Sequence, residues 1–325
     1  MMRDRKLTIK ELARLANVSV GTVSRALNDR PGVRAETRAR ILELARAHNF
    51  VPNLAARELV GQSTLVGLLV PPGVPRYTPY FSLLLEALGE ELWRLGLRVA
   101  EVPGDSRGLP LGQARGYILL GAHDHDPRLE ALRQQGVPFV LIGVQEGVFW
   151  VAPDDVGGAY QATRHLLELG HRAIAHVTGY LHHQAGRERL QGYRKALGEA
   201  GIPFRPDLVL DGKFQALAAY RAVRQAWERG VRFTAVFAAS DEMAQGAWAA
   251  LEDLGLGVPA QVSVVGFDDL PEVGEGLTTV HQDIPILARE AVALLKEAME
   301  GKEPYGKRLP VWLVPRGSTA RREVG

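Results

Sequence analysis

The chain has 325 residues, 46% of them hydrophobic and 23% charged, the balance of an ordinary globular protein and longer than the roughly 250–300 residues at which one core stops growing. No run approaches the ~18 uncharged apolar residues of a membrane span, residues 1–10 are charged where a signal peptide would be apolar, and the absence of cysteine excludes a disulfide framework and a thiolate metal site. A cytoplasmic protein is the expectation. The net charge of +2 is unevenly spread: residues 1–61 carry twelve Lys/Arg against six Asp/Glu, while the rest carries 27 against 31. A basic first fifth on a mildly acidic body suits contact with phosphate, although many basic faces are only solvated.

In chain order, the first sixty residues read as short helices with sharp breaks. Thr8-Ile9-Lys10-Glu11 has the form of a capping box, and Ile9, Leu12, Ala13 and Ala16 then recur at helical spacing. Asn17 tolerates the left-handed backbone that ends a helix abruptly. Ser19 can cap a second helix that turns Val23, Ala26 and Leu27 inward. Asn28-Asp29-Arg30-Pro31-Gly32 reads as a loop. A third helix is expected over about 34–48, with Ile41, Leu44 and Ala45 on its buried side. Pro52-Asn53 breaks the chain before a short helix at 54–60, and Gly61-Gln62-Ser63 reads as a linker.

From Thr64 the rhythm changes to apolar strands alternating with amphipathic helices. Strands are predicted at 65–70, 117–120, 139–142, 173–177, 235–238 and 262–267, and helices at 80–95, 159–169, 187–200, 215–229 and 241–254. Such β-α-β-α order implies parallel sheets with right-handed crossovers. There are too many strands for one compact sheet, so two doubly wound lobes are expected.

Helix, three-residue turn, helix is the arrangement that offers its second helix to the DNA major groove. With Val23 and Ala26 inward, Val20, Gly21, Thr22, Ser24 and Arg25 face out. Arg25 can bond a guanine with both arms of its guanidinium, which discriminates by about 1–3 kcal/mol. Val20 suits a thymine methyl, and Ser19, Thr22 and Ser24 suit phosphate oxygens. The plainer alternative is a three-helix surface module with solvated polar residues.

The residues also carry a resemblance. Thr8-Ile9-Lys10-Glu11-Leu12-Ala13 and Val18-Ser19-Val20-Gly21-Thr22-Val23-Ser24-Arg25-Ala26-Leu27-Asn28 resemble the headpiece of the LacI/GalR transcription regulators. Pro52-Asn53-Leu54-Ala55-Ala56-Arg57-Glu58-Leu59 looks like that family's hinge helix. Later landmarks are Leu169-Gly170-His171-Arg172, Glu188-Arg189-Leu190-Gln191-Gly192-Tyr193, Ala238-Ala239-Ser240-Asp241, Val264-Val265-Gly266-Phe267-Asp268-Asp269, Leu277-Thr278-Thr279-Val280 and Pro315-Arg316-Gly317-Ser318-Thr319, so the resemblance spans the chain.

What the resemblance implies is an all-α helix-turn-helix headpiece with hinge helix (1–61, hinge 53–60) on an α/β core like periplasmic binding proteins (62–325). The first lobe of that core would be about 64–153 plus 283–311, and the second about 154–282 plus 312–325. It implies a repressor that binds a palindromic operator as a homodimer, or as a tetramer, and responds to a small-molecule effector. DNA contacts would come from Thr8, Ser19, Val20, Gly21, Thr22, Ser24, Arg25, Asn28, Asn53, Ala56, Arg57 and Leu59. Leu59 would wedge between central base pairs, from a helix too short to be stable until DNA and its partner are present.

Effector candidates follow by motif: Tyr80 and Phe81 after the first strand, Arg189, Phe214, Ser240 and Asp268. An arginine opposite a carboxylate, with flat aromatic faces nearby, suits a sugar or a purine-like ring, and a sugar-like effector is the expectation. Phe81 and Phe214 could instead be core, Arg189 could form an ion pair within the second lobe, Asp269 rivals Asp268, and Asp154 could belong to the lobe crossover. No cofactor is expected.

Two departures from the family pattern stand out. Between the strand near 98–102 and the next at 117–120 the family places a helix, but Gly108, Pro110 and Gly112 oppose one. Gly143 stands where aspartate is common, and Ser240 where asparagine is common. Rival readings are a free ligand-binding protein or an enzyme. His123-Asp124-His125-Asp126 could bind a metal, but it reads better as a surface loop, and no nucleophile elbow, phosphate loop or dinucleotide fingerprint accompanies it.

Overall fold

A computed structural model describes residues 9–27, 32–47, 64–71, 78–121, 126–271 and 276–322. Its N-terminal unit contains helices α1 (Ile9–Leu15), α2 (Val20–Leu27) and α3 (Ala35–Ala47). Leu12, Ala13, Ala16, Val23, Ala26 and Ile41 form one buried cluster between them, the helical spacing expected of an amphipathic trio. The turn closes as predicted. Asn17 takes φ 50°, Val18 N–H donates to the Ala13 carbonyl at 3.0 Å, and Ser19 Oγ accepts from Thr22 N–H at 3.1 Å. Arg40 secures the corner by donating to the Ala16 carbonyl at 2.9 Å.

The core begins with β1 (Leu65–Leu69), α4 (Pro79–Arg94), β2 (Arg98–Glu101), β3 (Gly116–Leu120), α5 (Pro127–Gln135), β4 (Phe139–Ile142) and β5 (Trp150–Pro153). It continues through α6 (Asp155–Glu168), β6 (Ile174–Thr178), α7 (Gln184–Glu199), β7 (Val209–Asp211), α8 (Ala216–Glu228), β8 (Ala235–Ala238), α9 (Asp241–Asp253) and β9 (Ser263–Val265). It ends with β10 (Thr279–Gln282), α10 (Ile284–Met299), β11 (Gly306–Leu309) and β12 (Val311–Val314). One sheet has the order β11-β5-β4-β3-β1-β2 and another β7-β6-β8-β9. Every pairing in both is parallel. Parallel strands need covered faces. Helices α4 and α10 cover one face of the first sheet, and α6–α7 and α8–α9 sandwich the second.

Among the described residues the chain passes between the two sheets after β5, again after β10, and finally between β11 and β12. β10 and β12 pair antiparallel and adjoin the second sheet through the bridges Val265↔Thr278 and Asp268↔His281.

The expected lack of a helix after β2 is observed. Asp105 Oδ1 instead accepts from Arg107 N–H at 2.8 Å and Leu109 N–H at 2.9 Å, folding a tight loop. Tyr117 fills the space beneath. Its hydroxyl donates to the Gly112 carbonyl at 2.7 Å, and its ring lies over Gly67, where an added Cβ would stand 2.6 Å from it.

Asp126 is the described member of the histidine–aspartate run, and it has a structural job. It caps α5 and holds Arg128, whose Nε sits 3.0 and 3.1 Å from the two carboxylate oxygens. Arg128, 1% exposed, donates to the carbonyls of Leu69 and Gly121, pinning the ends of β1 and β3. No grouping of three potential metal ligands occurs among the described residues.

Candidate functional site

The exposed edge of α2 begins with Ser19 and Val20, the latter 40% exposed. Gly21 and Arg25 are exposed beside them, and Thr22 is half-buried. Ser19 Oγ and Thr22 Oγ1 lie 2.9 Å apart, so the start of the helix presents hydroxyls and open backbone donors at its positive end. Ser24 follows on the same helix. Thr8, Asn28, Asn53, Ala56, Arg57 and Leu59, and with them the expected hinge helix, lie outside the described residues.

In the core, the C-terminal ends of strands from both sheets face a cavity of about 1010 Å³, counting the space at its open mouth. Ligands of open parallel sheets bind at this place. All six candidates predicted for an effector line it: Tyr80, Phe81, Arg189, Phe214, Ser240 and Asp268.

Arg189, on the first half of α7, is its centre. Its Nε donates to Asp155 Oδ1 at 2.8 Å and its Nη1 to the Ala239 carbonyl at 2.5 Å. Nη1 also lies 3.5 Å from Asp268 Oδ1, and the guanidinium carbon stands 3.6 Å from the Phe267 ring centroid. The sequence alternatives for Arg189 therefore coexist, because it forms an ion pair within the second sheet's layer while also facing the cavity. Burial disfavours its charge, but Asp155 and Asp268 outweigh that and keep it protonated.

Asp268 is held at φ 123°, and its Oδ1 accepts from Gln282 Nε2 at 2.6 Å. Asp269 turns away, accepting from Arg316 at 2.6 Å and meeting His281 Nδ1 at 2.9 Å. Asp268 thus faces the cavity and its neighbour does not. Burial raises the Asp268 and Asp155 carboxyls above the ordinary carboxylate range, against the opposing pull of Arg189. Asp154 serves the crossover, capping α6 by accepting from Gly157 N–H at 2.9 Å.

The aromatic walls are placed by backbone geometry. Lys213 and Phe214 both adopt positive φ, 53° and 51°, a conformation that costs energy for residues with a side chain. It lays the Phe214 ring flat on Gly179, where any Cβ would fall on the ring. Tyr80 and Phe81 open α4, whose first turn is capped by Thr78 accepting from Phe81 N–H at 3.3 Å. Phe81, 6% exposed, also packs into the first sheet's core, so both readings of it hold. Ser240 caps α9 by accepting from Met243 N–H at 3.2 Å, and its place at the cavity follows from that cap.

Sequence reading missed Asp155, Glu242 and Gln282, which also line the cavity. Asp155 follows Asp154 immediately at a strand-to-helix junction, and that doubled acid was the available signal. Its pairing with Arg189, 34 positions away, has no local signature.

A helical trio with an exposed second helix, joined to two parallel sheets around a ligand-sized cavity, defines a DNA-binding protein on a periplasmic-binding-protein-like core. Residues 8–53 match the profile of bacterial regulatory proteins, lacI family, and residues 163–319 that of a periplasmic binding protein-like domain. The transcriptional regulator CelR of Thermobifida fusca is 36% identical over 328 residues, covering 95% of this chain and 96% of CelR. The HTH-type transcriptional repressor PurR of Erwinia tasmaniensis is 31% identical over 335 residues, with 96% of this chain and 97% of PurR covered. Among solved structures, a CelR–cellobiose complex aligns with TM-score 0.72 at 33% identity, covering 96% of this chain and 99% of that one. The lac repressor dimer bound to operator and the anti-inducer ONPF aligns with TM-score 0.68 at 28% identity, covering 97% and 100%.

The chain belongs to the lacI family of bacterial regulatory proteins. It is a DNA-binding transcription regulator and not an enzyme. No helix among the described residues is long and apolar enough to cross a membrane.

Proposed function

We propose that this regulator is a cytoplasmic repressor that binds a palindromic operator as a homodimer and changes its affinity when a saccharide enters the cavity. The headpiece and hinge would occupy residues 1–61 and the core 62–325. The core's lobes would be about 64–153 with 283–311, and 154–282 with 312–325. The observation that carries the reading is the Arg189–Asp155–Asp268 network set beside the Phe214 face. Fixed donors and acceptors suit the hydroxyl edge of a sugar ring, and flat apolar groups suit its face. CelR, seen with cellobiose, and a lacI-family regulator from Enterococcus faecium seen with ribose, support a saccharide over a purine.

The proposed mechanism is a population shift. A ligand held by Asp268 and Arg189 on one side and Tyr80 and Phe81 on the other binds best when the lobes are close together. Its effect on DNA affinity equals its preference for that state, typically about 1–3 kcal/mol. The hinge helices, with Asn53, Ala56, Arg57 and Leu59, would order over the operator or fail to do so according to lobe position. Thr8, Ser19, Val20, Gly21, Thr22, Ser24, Arg25 and Asn28 would set and read the DNA register.

The test is operator binding by the full chain with and without cellobiose. Wild type is expected to change affinity by roughly tenfold, Arg189→Ala to lose that change while still binding the operator, and Arg25→Ala to lose preference for operator over random duplex. Undiminished saccharide response in Arg189→Ala, or undiminished preference in Arg25→Ala, would refute the corresponding assignment.

A further inference from the structure

Aromatic rings run outward from the buried end of the cavity to its mouth. Arg189, 5% exposed, marks the deep end, and its guanidinium carbon lies 6.0 Å from the centre of the Phe214 ring. Next comes Tyr180, whose ring centre is 6.4 Å from that of Phe214. His183 and His182 follow, 5.4 and 5.1 Å from Tyr180. Phe214, Tyr180 and His183 all line the cavity, whereas His182 stands exposed. Exposure thus rises along the row, from a buried arginine to a histidine in water.

The loop that carries the outer rings, residues 179–183 between β6 and α7, is held from several sides. His183 N–H donates to the Tyr180 carbonyl at 3.1 Å, and Arg187 on α7 donates to the His182 carbonyl at 2.9 Å. Gly186 lets the first turn of α7 close on the loop, since a Cβ there would collide with the Tyr180 carbonyl oxygen. Gln215 Nε2 meets the Tyr180 hydroxyl at 3.4 Å. Yet Tyr180 belongs to neither sheet's apolar core. A half-exposed ring fixed by its backbone and left out of the core offers a ligand a preorganised face.

We propose that Tyr180, flanked by His183, forms an outer subsite that stacks on a second sugar ring, so that the cavity prefers a disaccharide to a monosaccharide. This rests on the saccharide reading given above, and it adds the length of the effector. One ring at the Arg189 end meets the polar network, with Phe214 against its face. A second ring, displaced toward the mouth, lies across Tyr180, where its C–H groups meet the aromatic face and its hydroxyls keep their water. The Phe214 and Tyr180 centres are spaced like neighbouring rings of one glycan, and the cavity, about 1010 Å³ with its mouth, has room for both. A monosaccharide fills only the deep half and leaves Tyr180 to solvent.

The experiment is calorimetric titration of the full chain with glucose, ribose, cellobiose and maltose. One of the disaccharides is expected to bind about a hundredfold more tightly than either monosaccharide. Tyr180→Ala, checked for an unchanged melting temperature, should weaken that disaccharide by about tenfold while glucose stays within about twofold. Tyr180→Phe keeps the ring and should keep the preference. A monosaccharide that binds as tightly as both disaccharides would overturn the outer subsite and leave the saccharide reading standing. So would undiminished disaccharide affinity in Tyr180→Ala, an equal loss for glucose in that variant, or loss of the preference in Tyr180→Phe. A chain that binds none of the four overturns both.

Discussion

Arg189 and Asp155 join the first half of helix α7 to the first residue of α6 through a hydrogen bond of 2.8 Å, with both side chains almost wholly buried at 6% and 1% exposure. A charge pair so far from water is held by its geometry, and removing one partner strands the other. Because Asp155 opens α6 directly after the chain leaves the first sheet, the pair ties the cavity's charged centre to a crossover between sheets.

Replacing Asp155 with alanine is expected to destabilise the fold by about 3 kcal/mol, since Arg189 would keep Asp268, at 3.5 Å, as its remaining carboxylate beside the Ala239 carbonyl. Urea unfolding followed by circular dichroism measures this. A loss below about 0.5 kcal/mol would mean that water or Asp268 replaces the lost partner.

Gly179→Ala tests the aromatic wall. The new methyl would occupy the place of the Phe214 ring, so the ring must leave its seat while α2, in the headpiece, is untouched. Operator affinity without effector should stay within about twofold of wild type, and the affinity of cellobiose should fall by roughly tenfold or more. Unchanged saccharide affinity would show that Phe214 does not contact the ligand.

A second crossover carries its own charge pair. Arg308 on β11 meets both oxygens of Glu188 on α7 at 2.5 and 2.6 Å, and also donates to the Pro153 carbonyl at 3.0 Å. Its bidentate shape favours a real contribution, but its partial exposure of 36% limits it. A double-mutant cycle with Glu188→Gln and Arg308→Gln is expected to give a coupling of about 1 kcal/mol. A value indistinguishable from zero would make the pair decorative.

His176 sets an acid limit on stability. It is completely buried between the rings of Tyr193 and Phe237, at 5.1 and 4.8 Å, and burial lowers its pKa to about 4. The unfolded chain takes up a proton near pH 6.5 that the folded chain refuses. Its neutral form therefore costs nothing above pH 6.5, and stability is lost as pH falls from there toward 4. The loss at pH 5 is on the order of 2 kcal/mol. His176→Phe should flatten the fall in melting temperature between pH 7 and 5, and an equally steep fall would assign it to other groups.

Much of this protein is written locally in its sequence. Helical spacing in Leu12, Ala13 and Ala16, the left-handed Asn17 and the Ser19 cap are interactions between near neighbours, so the headpiece turn is legible from the order of residues alone. The strand–helix alternation predicts two parallel sheets for the same reason. Gly108, Pro110 and Gly112 likewise announce the missing helix, because backbone preference acts residue by residue.

Tertiary structure decided what depends on distant partners. Asp268 was separated from Asp269 only by the arrival of Arg316 and His281 beside the latter. Asp155 became part of the cavity only when α7 brought Arg189 to it. Local propensity specifies elements; which charges meet is set by packing across long stretches of chain.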